Sequence, residues 1–305
     1  MDFTKFTSVK NNFISSPNTC DLFKLLSIET WKRIEYAYIK PGIKVFETTI
    51  TQNILFTINA YNDQFNLNID IYESLNENVS GNDIELIIRY PFSGIEFYTP
   101  IQAKKVYRNG KYQSMEHGNQ ILSLINYAKR KNAIPFYLLY NYSSELGCRF
   151  SKIINPEEAL GCTLIPASYL FNNYYNKRKI RKGKNSGNYR WDIPTFNDLN
   201  PTSAFSWYEL VCPKKSYQLY NQFVNNGLIK GEIIEHSEDI IKSNDEIRNG
   251  FFALNTFEDS SRWINIKNIS EKIYWGIDVY RESPETPSEI FSPKSRIVIT
   301  NRNEQ

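Results

Sequence analysis

Two neighbouring stretches decide the fold: GNDIELIIRY at residues 81–90 and EFYTPIQAKK at residues 96–105. In the first stretch, apolar residues alternate with polar ones, so isoleucine and leucine fall on one face of a strand and Asp83 and Glu85 on the other. The residues between the stretches, PFSG at 91–94, combine proline and glycine, which is typical of a hairpin connection. We therefore predict two strands that pair as a hairpin.

The hairpin would gather polar side chains with complementary chemistry. Gln102 and Lys104 lie two positions apart in the second stretch and point the same way, so they can meet Asp83. Mg²⁺ is a hard cation that prefers oxygen ligands, and one or two carboxylates with a carbonyl oxygen are enough to hold it. A bound metal lowers the pKa of a water ligand, and a nearby lysine can orient that water or offset phosphate charge. The pattern indicates metal-dependent phosphodiester hydrolysis.

At these residues the chain resembles the PD-(D/E)xK superfamily, and specifically its Mrr-like branch, in which glutamine precedes the lysine. It is also similar to a group of bacterial proteins whose pattern covers roughly residues 44–142 and continues weakly at Gly161-Cys162 and Trp207-x-x-Leu210. The resemblance implies a restriction-endonuclease-like fold and an Mg²⁺ site, with Mn²⁺ as a substitute. The implied catalytic residues are Asp83, Gln102, Lys104, Glu47 and Glu85, of which Asp83, Glu47 and Gln102 would hold the metal.

Each of these residues also has a structural interpretation. Asp83 could cap the turn that precedes its strand. Glu47, expected near the start of a helix, could be a solvated side chain that interacts with the helix dipole. Glu85 could be a metal ligand or an ion-pair partner of Lys104. The resemblance suggests that Gln120 and Tyr112 support the site, although Gln120 could equally be a surface amide.

Nucleic-acid contacts are expected outside the catalytic strands. Lys105 points away from Lys104 and could contact phosphate or solvent, and the densest basic run of the chain spans residues 177–184. Neutralised phosphate contacts make such binding salt-dependent, whereas a solvated loop without a partner is the other interpretation of the run. The candidate contacts are Lys105, Lys177, Arg178, Lys179, Arg181, Lys182 and Lys184.

Composition narrows the class of protein. The chain has 305 residues and a net charge of +3, which permits a polyanionic partner without requiring one. Its four cysteines are widely spaced, so we expect reduced thiols and neither a zinc ribbon nor a disulfide framework. Two histidines offer little for histidine-based hydrolysis or zinc ligation. The sequence contains no secretory signal and no membrane span, which predicts a cytoplasmic protein that does not bind membranes.

Periodicity predicts the order of elements. A helix over residues 20–39 could be continuous or broken at Ser27 with that serine as N-cap. The elements that follow are a helix over residues 44–60, a strand over 66–73, the hairpin, a helix over 113–131 and a strand over 134–140. We expect an α/β fold with the α-β-β-β-α-β restriction-endonuclease-like core, a mixed central sheet flanked by helices.

Three regions follow from this order. Residues 1–145 would form the catalytic core with an N-terminal helix, and residues 146–281 a mainly helical extension packed on it. Residues 282–305, rich in proline and polar residues, would form an irregular tail.

The sequence thus predicts a metal-dependent nuclease that acts on DNA in preference to RNA and serves bacterial defence against phage or foreign DNA. The alternative is an inactive module with the nuclease fold that binds nucleic acid or a protein partner. Gln102 in place of an acidic residue keeps this alternative open. A homo-oligomer or a defence-system partner is compatible with either.

Overall fold

A computed structural model shows the architecture of most of the first 212 residues and of two later strands. It describes residues 18–40, 42–74, 83–90, 95–112, 115, 120–131, 133–147, 150–175, 179–180, 189–190, 193–212, 263–265 and 295–300. The helices are α1 (Thr19–Ile39), α2 (Glu47–Phe65), α3 (Gln120–Arg130), α4 (Pro156–Leu160), α5 (Ala167–Asn173), α6 (Phe196–Leu199) and a 3₁₀ helix (Trp207–Leu210). The strands are β1 (Ile69–Ser74), β2 (Asp83–Tyr90), β3 (Ile95–Lys105), β4 (Phe136–Tyr140), β5 (Cys162–Pro166), β6 (Lys179–Ile180), β7 (Tyr189–Arg190), β8 (Phe205–Ser206), β9 (Trp263–Asn265) and β10 (Ser295–Thr300).

Among the described residues, eight strands form a mixed sheet at the centre of the fold. Its strand order is β8-β5-β4-β3-β2-β10-β1-β9, and β6 and β7 form a separate two-stranded ribbon. The β3–β4 and β10–β2 pairs are parallel, and the other pairs of the large sheet are antiparallel. The predicted antiparallel pairing of β2 with β3 is confirmed, and so is the α/β class with helices on the sheet.

The last described strand corrects the expectation of an irregular tail. Ser295–Thr300 forms β10, which lies between β1 and β2 and hydrogen-bonds to both. Its successive side chains Ile297, Val298 and Ile299 are all buried, so both faces of the strand are covered, which favours a central strand over a solvated tail. Because β10 lies between them, β1 and β2 are neighbours in the expected α-β-β-β-α-β order but not in the sheet.

The sheet also crosses the boundary expected near residue 145. β5 pairs with β4 and β8 with β5, so this sheet extends from the expected core into the following region. In the described part of residues 146–281, strands β5 to β9 accompany the short helices, whereas a mainly helical extension was expected.

Helix α1 is continuous, and the break considered at Ser27 is absent. Asn18 is its N-cap and accepts a hydrogen bond from the backbone N–H of Asp21 at 2.9 Å. Ser27 lies inside the helix and is fully buried. It belongs to the buried side of the helix that also contains Leu22 and Leu26. No described helix combines the length and apolar character needed to cross a membrane.

The two faces of β2 meet different helices. Ile84, Leu86 and Ile88 belong to the main core, and the α2 side chain Thr51 hydrogen-bonds the Tyr140 hydroxyl at 2.8 Å on this face of the sheet. On the opposite face, Ile87 packs in a smaller apolar cluster beneath α3. We call these the α2 face and the α3 face. The alternation predicted for β2 is confirmed.

The cysteines correct a second expectation. Cys20 at the start of α1 and Cys212 after the 3₁₀ helix form a disulfide across 192 positions, with their Cα atoms 4.9 Å apart. Sequence spacing gave no sign of this pair, because the fold alone brings these segments together. Cys162 is a free thiol, fully buried at the start of β5.

Candidate active site

The strand register brings three predicted site positions to one face. Asp83 lies directly opposite Gln102 in the β2–β3 pair, and directly opposed residues in an antiparallel pair share a face of the sheet. Lys104 lies two residues beyond Gln102 and therefore shares that face as well. The register places all three on the α3 face, at the end of the sheet where β2 begins and β3 ends.

Gln102 and Lys104 are buried although both are polar. Their exposed fractions are 6% and 4%, and they lie beside Tyr137 and Leu139 of β4. Within the described part of the chain, Lys104 forms no ion pair. A buried lysine with no ion pair among the described residues is more often found where a ligand or a functional carboxylate completes its environment.

Glu47, the first residue of α2, approaches the same end of β3. Its Oε1 accepts a hydrogen bond from the backbone N–H of Lys105 at 3.0 Å. The N–H groups of successive strand residues point to opposite sides of the strand. The N–H of Val106 donates to the Tyr140 carbonyl of β4, so the N–H of Lys105 points towards β2. Glu47 therefore lies on the side of β3 where β2 begins with Asp83. Glu47 is partly buried and hydrogen-bonded, so the solvated position considered as its alternative is not observed.

Helix α3 begins at this end of the sheet. Because α3 connects the parallel strands β3 and β4, it runs antiparallel to both, so Gln120, its first residue, lies towards the end of β3. The Gln120 Oε1 atom is buried and has no hydrogen-bond partner among the described residues. The structure thus brings Gln120 to the predicted end of the sheet with an unused acceptor.

Glu85 has a different environment from the one expected. It is fully buried, and its Oε2 accepts hydrogen bonds from Arg296 Nε at 2.7 Å and from Arg296 Nη2 at 2.6 Å. Its Oε1 accepts hydrogen bonds from the hydroxyls of Tyr98 and Tyr127. Both carboxylate oxygens are engaged by the protein, and the ion pair is with Arg296 and not with Lys104. The structure therefore does not bring Glu85 to the metal site.

The tyrosines around Glu85 act as neutral donors. Burial raises the pKa of Tyr98, and the nearby charge of Glu85 raises it further. The phenol therefore stays protonated and can donate to the carboxylate. Arg296, Tyr98 and Tyr127 were not among the predicted site residues. The run of β-branched residues in SRIVIT at 295–300 was a local signal that could have placed Arg296 in a strand.

Lys105 points to the α2 face, as predicted, and is half-buried. Its ammonium donates a hydrogen bond to the Val45 carbonyl at 2.5 Å and lies 4.6 Å from the centre of the Tyr107 ring. Burial lowers its pKa, while the charge of Glu47 opposes that shift.

Tyr112 is fully buried and hydrogen-bonds asparagines that were not predicted as site residues. Its hydroxyl donates to Asn141 Oδ1 at 2.6 Å and accepts from Asn200 Nδ2 at 3.2 Å. Burial raises its pKa, so the hydroxyl stays protonated. This network links the end of β4 to α6, which is a structural role.

Most of the basic run at residues 177–184 lies outside the described residues. Lys177, Arg178, Arg181, Lys182 and Lys184 lie outside the described residues. Lys179 lies in β6, where only the backbone is described.

The donor atoms at this end of the sheet are hard oxygens. They are the Glu47 carboxylate and the Gln102 amide, with the Asp83 position on the same face as Gln102. Such a set suits Mg²⁺ or Mn²⁺, with water as the remaining ligands, better than a soft metal. No group of three or more histidine, cysteine, aspartate or glutamate side chains that could hold a metal occurs in the described part of the chain.

A family profile matches residues 19–303, which is nearly the whole chain, and its description is a family of unknown function, DUF6615. The chain belongs to the DUF6615 family. No curated protein and no solved structure matches this DUF6615 chain.

Proposed function

We propose that this DUF6615 chain is a metal-dependent nuclease that hydrolyses phosphodiester bonds. The observation that carries the proposal is the β2–β3 register, which sets Asp83 opposite Gln102 and places buried Lys104 on the same face. Glu47 approaches this end of β3 from α2.

The roles follow from the chemistry of the side chains. Asp83, Glu47 and Gln102 would hold Mg²⁺ or Mn²⁺, and the bound metal would supply an activated water and polarise the phosphoryl oxygen. Lys104 would orient the attacking water and offset negative charge that develops on the phosphate. Gln120 could hold a water with its unused amide oxygen. Resemblance to the PD-(D/E)xK superfamily supports DNA ahead of RNA as the substrate, and a role in bacterial defence.

A second candidate function is a module with a nuclease-like site that binds nucleic acid without cleaving it. Two observations favour it: Gln102 is neutral where an acidic ligand is usual, and the carboxylate of Glu85 is already engaged by Arg296. Both reduce the negative charge available to a divalent cation.

Cleavage assays separate the two functions. Purified protein is incubated with plasmid DNA and with RNA, in Mg²⁺, in Mn²⁺ or in EDTA. We expect cleavage that needs the metal and falls by at least about 100-fold in Lys104→Met and in Asp83→Asn, because the first loses the ammonium that offsets charge on the phosphate and the second loses a carboxylate that would hold the metal.

Matched controls make the assay specific. Lys129→Met and Asp63→Asn change the same residue types at exposed positions on α3 and α2 and should cleave at the normal rate. Cleavage by the intact chain that persists in EDTA, or in both site variants, would contradict the proposal. Binding without cleavage by the intact chain would favour the second candidate.

A further inference from the structure

A basic and aromatic surface lies beside the candidate site, on the other side of Lys105. It is formed by the end of α1, the loop that leads to α2, and the residues that follow β3. We call it the basic aromatic surface and define it by the rings Tyr38, Phe46 and Tyr107 and the cations Lys40, Lys44 and Arg108. All six residues are exposed, and the exposed fractions of the rings are 37%, 59% and 37%.

Side-chain contacts hold the three segments together. Arg108 Nη2 donates a hydrogen bond to the Ala37 carbonyl at 2.9 Å, and its guanidinium lies 5.8 Å from the centre of the Tyr38 ring. Lys105 joins the loop that leads to α2 to the residues that follow β3, since it bonds the Val45 carbonyl and lies over the Tyr107 ring. The surface is therefore a fixed feature of the fold.

Charge on this surface is concentrated and of one sign. Residues 36–46 and 105–111 together contain five lysines and arginines and no aspartate or glutamate. The whole chain, in comparison, has a net charge of +3. Such a cluster attracts a polyanion by electrostatics.

The exposed rings narrow the class of polyanion. A groove that binds single-stranded nucleic acid combines cations that follow the backbone with aromatic faces on which unpaired bases stack. Bases within a duplex are already stacked on their neighbours and cannot use such faces. Phe46 is the most exposed of the three rings, whereas Tyr38 contacts Arg108 and Tyr142 and Tyr107 contacts Lys105. An exposed ring of this kind among cations fits a single strand better than a duplex.

The surface meets the candidate site at the end of β3, where Lys105 lies on the α2 face and Lys104 on the α3 face. Lys105 directly follows Lys104, and the backbone N–H of Lys105 bonds Glu47. A strand that crosses the basic aromatic surface would reach the end of β3.

We propose that the basic aromatic surface binds single-stranded nucleic acid and leads it to the end of β3. The assignment of this strand as substrate rests on the proposed nuclease function, whereas binding itself does not. The basic run at residues 177–184 is not needed for this site.

Binding is measured by fluorescence anisotropy with a fluorescein-labelled oligothymidylate and with a duplex of the same length, in EDTA so that nothing is cleaved. We expect the single strand to bind more tightly than the duplex. The double variant Lys40→Ala with Lys44→Ala should weaken binding at least about tenfold and reduce the slope of log K against log salt by about 1.4, because two phosphate contacts are lost. Phe46→Ala should weaken binding by at least about fivefold through loss of one stacked base.

Matched controls change the same residue types elsewhere on the exposed surface. The double variant Lys129→Ala with Lys152→Ala removes the same charge, and Phe56→Ala removes another exposed ring, 75% accessible, from α2. Both should bind as the intact chain does. Phe46 makes no side-chain capping bond to α2, so its truncation should leave the helix intact, which circular dichroism checks.

Several outcomes would overturn the proposal. They are equal losses in the test and control variants, tighter binding of the duplex, no binding of either oligonucleotide, and binding only to vesicles that contain phosphatidylserine. Binding with the expected pattern but without metal-dependent cleavage would leave this surface established and refute the nuclease function. Metal-dependent cleavage together with unchanged binding in the Lys40, Lys44 and Phe46 variants would support the nuclease function and refute the role of this surface.

Discussion

At the scale of single residues, Gly161 shows how closely the segments approach each other. It follows α4, and its carbonyl accepts a hydrogen bond from the Asn141 N–H at 2.9 Å. A Cβ atom at this position would lie 2.0 Å from the Ser27 carbonyl oxygen and 2.7 Å from that of Glu157. Glycine is needed here for space, because its φ of −56° is accessible to any residue.

Gly161→Ala should therefore destabilise the protein by at least about 2 kcal/mol, since backbone on both sides must move to admit a methyl group. Urea unfolding followed by circular dichroism measures the change. Gly147→Ala is the control, because a Cβ atom there meets nothing within 4 Å, and it should change the free energy of unfolding by less than about 0.5 kcal/mol. Equal effects of the two substitutions would show that α1 and α4 are not packed this closely.

At the scale of elements, β10 connects the two halves of the large sheet. It contributes backbone hydrogen bonds to both β1 and β2, and its Arg296 reaches Glu85 across 211 positions of sequence. The side chains of Arg296 and Glu85 are 5% and 0% exposed. A buried ion pair can contribute little net stability as a whole, yet the loss of one partner leaves a charge that water cannot reach.

Arg296→Met should lower the free energy of unfolding by about 3–5 kcal/mol, because the Glu85 carboxylate loses its counter-charge while buried. Chemical denaturation provides the measurement. Arg33→Met serves as the control, because Arg33 pairs with Glu29 at 3.7 Å on a partly exposed helix surface and should contribute less than about 1 kcal/mol.

The double variant Arg296→Met with Glu85→Gln tests the reason for that effect. It should recover most of the stability lost in Arg296→Met, since both charges are then absent while the amide oxygen can still accept from the Tyr98 and Tyr127 hydroxyls. If the double variant is as unstable as the single variant, the uncompensated carboxylate is not the cause.

At the scale of the whole molecule, the Cys20–Cys212 disulfide links the start of α1 to the segment that follows the 3₁₀ helix. Packing already brings these segments together, since Trp207 Nε1 donates to the Phe23 carbonyl at 2.9 Å and the two rings lie 4.5 Å apart. The bond therefore closes a loop of 192 positions that the fold has already shaped. Cys162 is protected from exchange with it, because the thiol is fully buried and burial raises its pKa to about 12.

Reduction of the native protein should lower its free energy of unfolding by up to about 5 kcal/mol, because an open chain has more conformational freedom when unfolded. Thermal melting with and without dithiothreitol measures the change. The double variant Cys20→Ser with Cys212→Ser should melt like the reduced protein and ignore dithiothreitol. An intact chain whose melting temperature is the same in both conditions would contradict the prediction, and a thiol titration of the unfolded chain would report the state of the pair.

The sequence by itself determined the local structure and the shared face of the candidate site. The period of two in β2 and β3 predicted that Asp83, Gln102 and Lys104 could lie together if the two strands paired as a hairpin, and the observed register sets Asp83 opposite Gln102. The α/β class followed from these strand patterns together with the i, i+3, i+4 spacing of apolar residues in the helices. The nuclease activity and the cytoplasmic location remain predictions.

Only the tertiary structure decided what joins distant parts of the chain. The partner of Glu85, the Cys20–Cys212 bond and the central place of β10 each connect residues about 200 positions apart. Local periodicity reports which side of an element is apolar, and it contains no information on which distant element will cover that side. These contacts form because burial of the whole sheet favours one arrangement of strands, and that choice is a property of the complete fold.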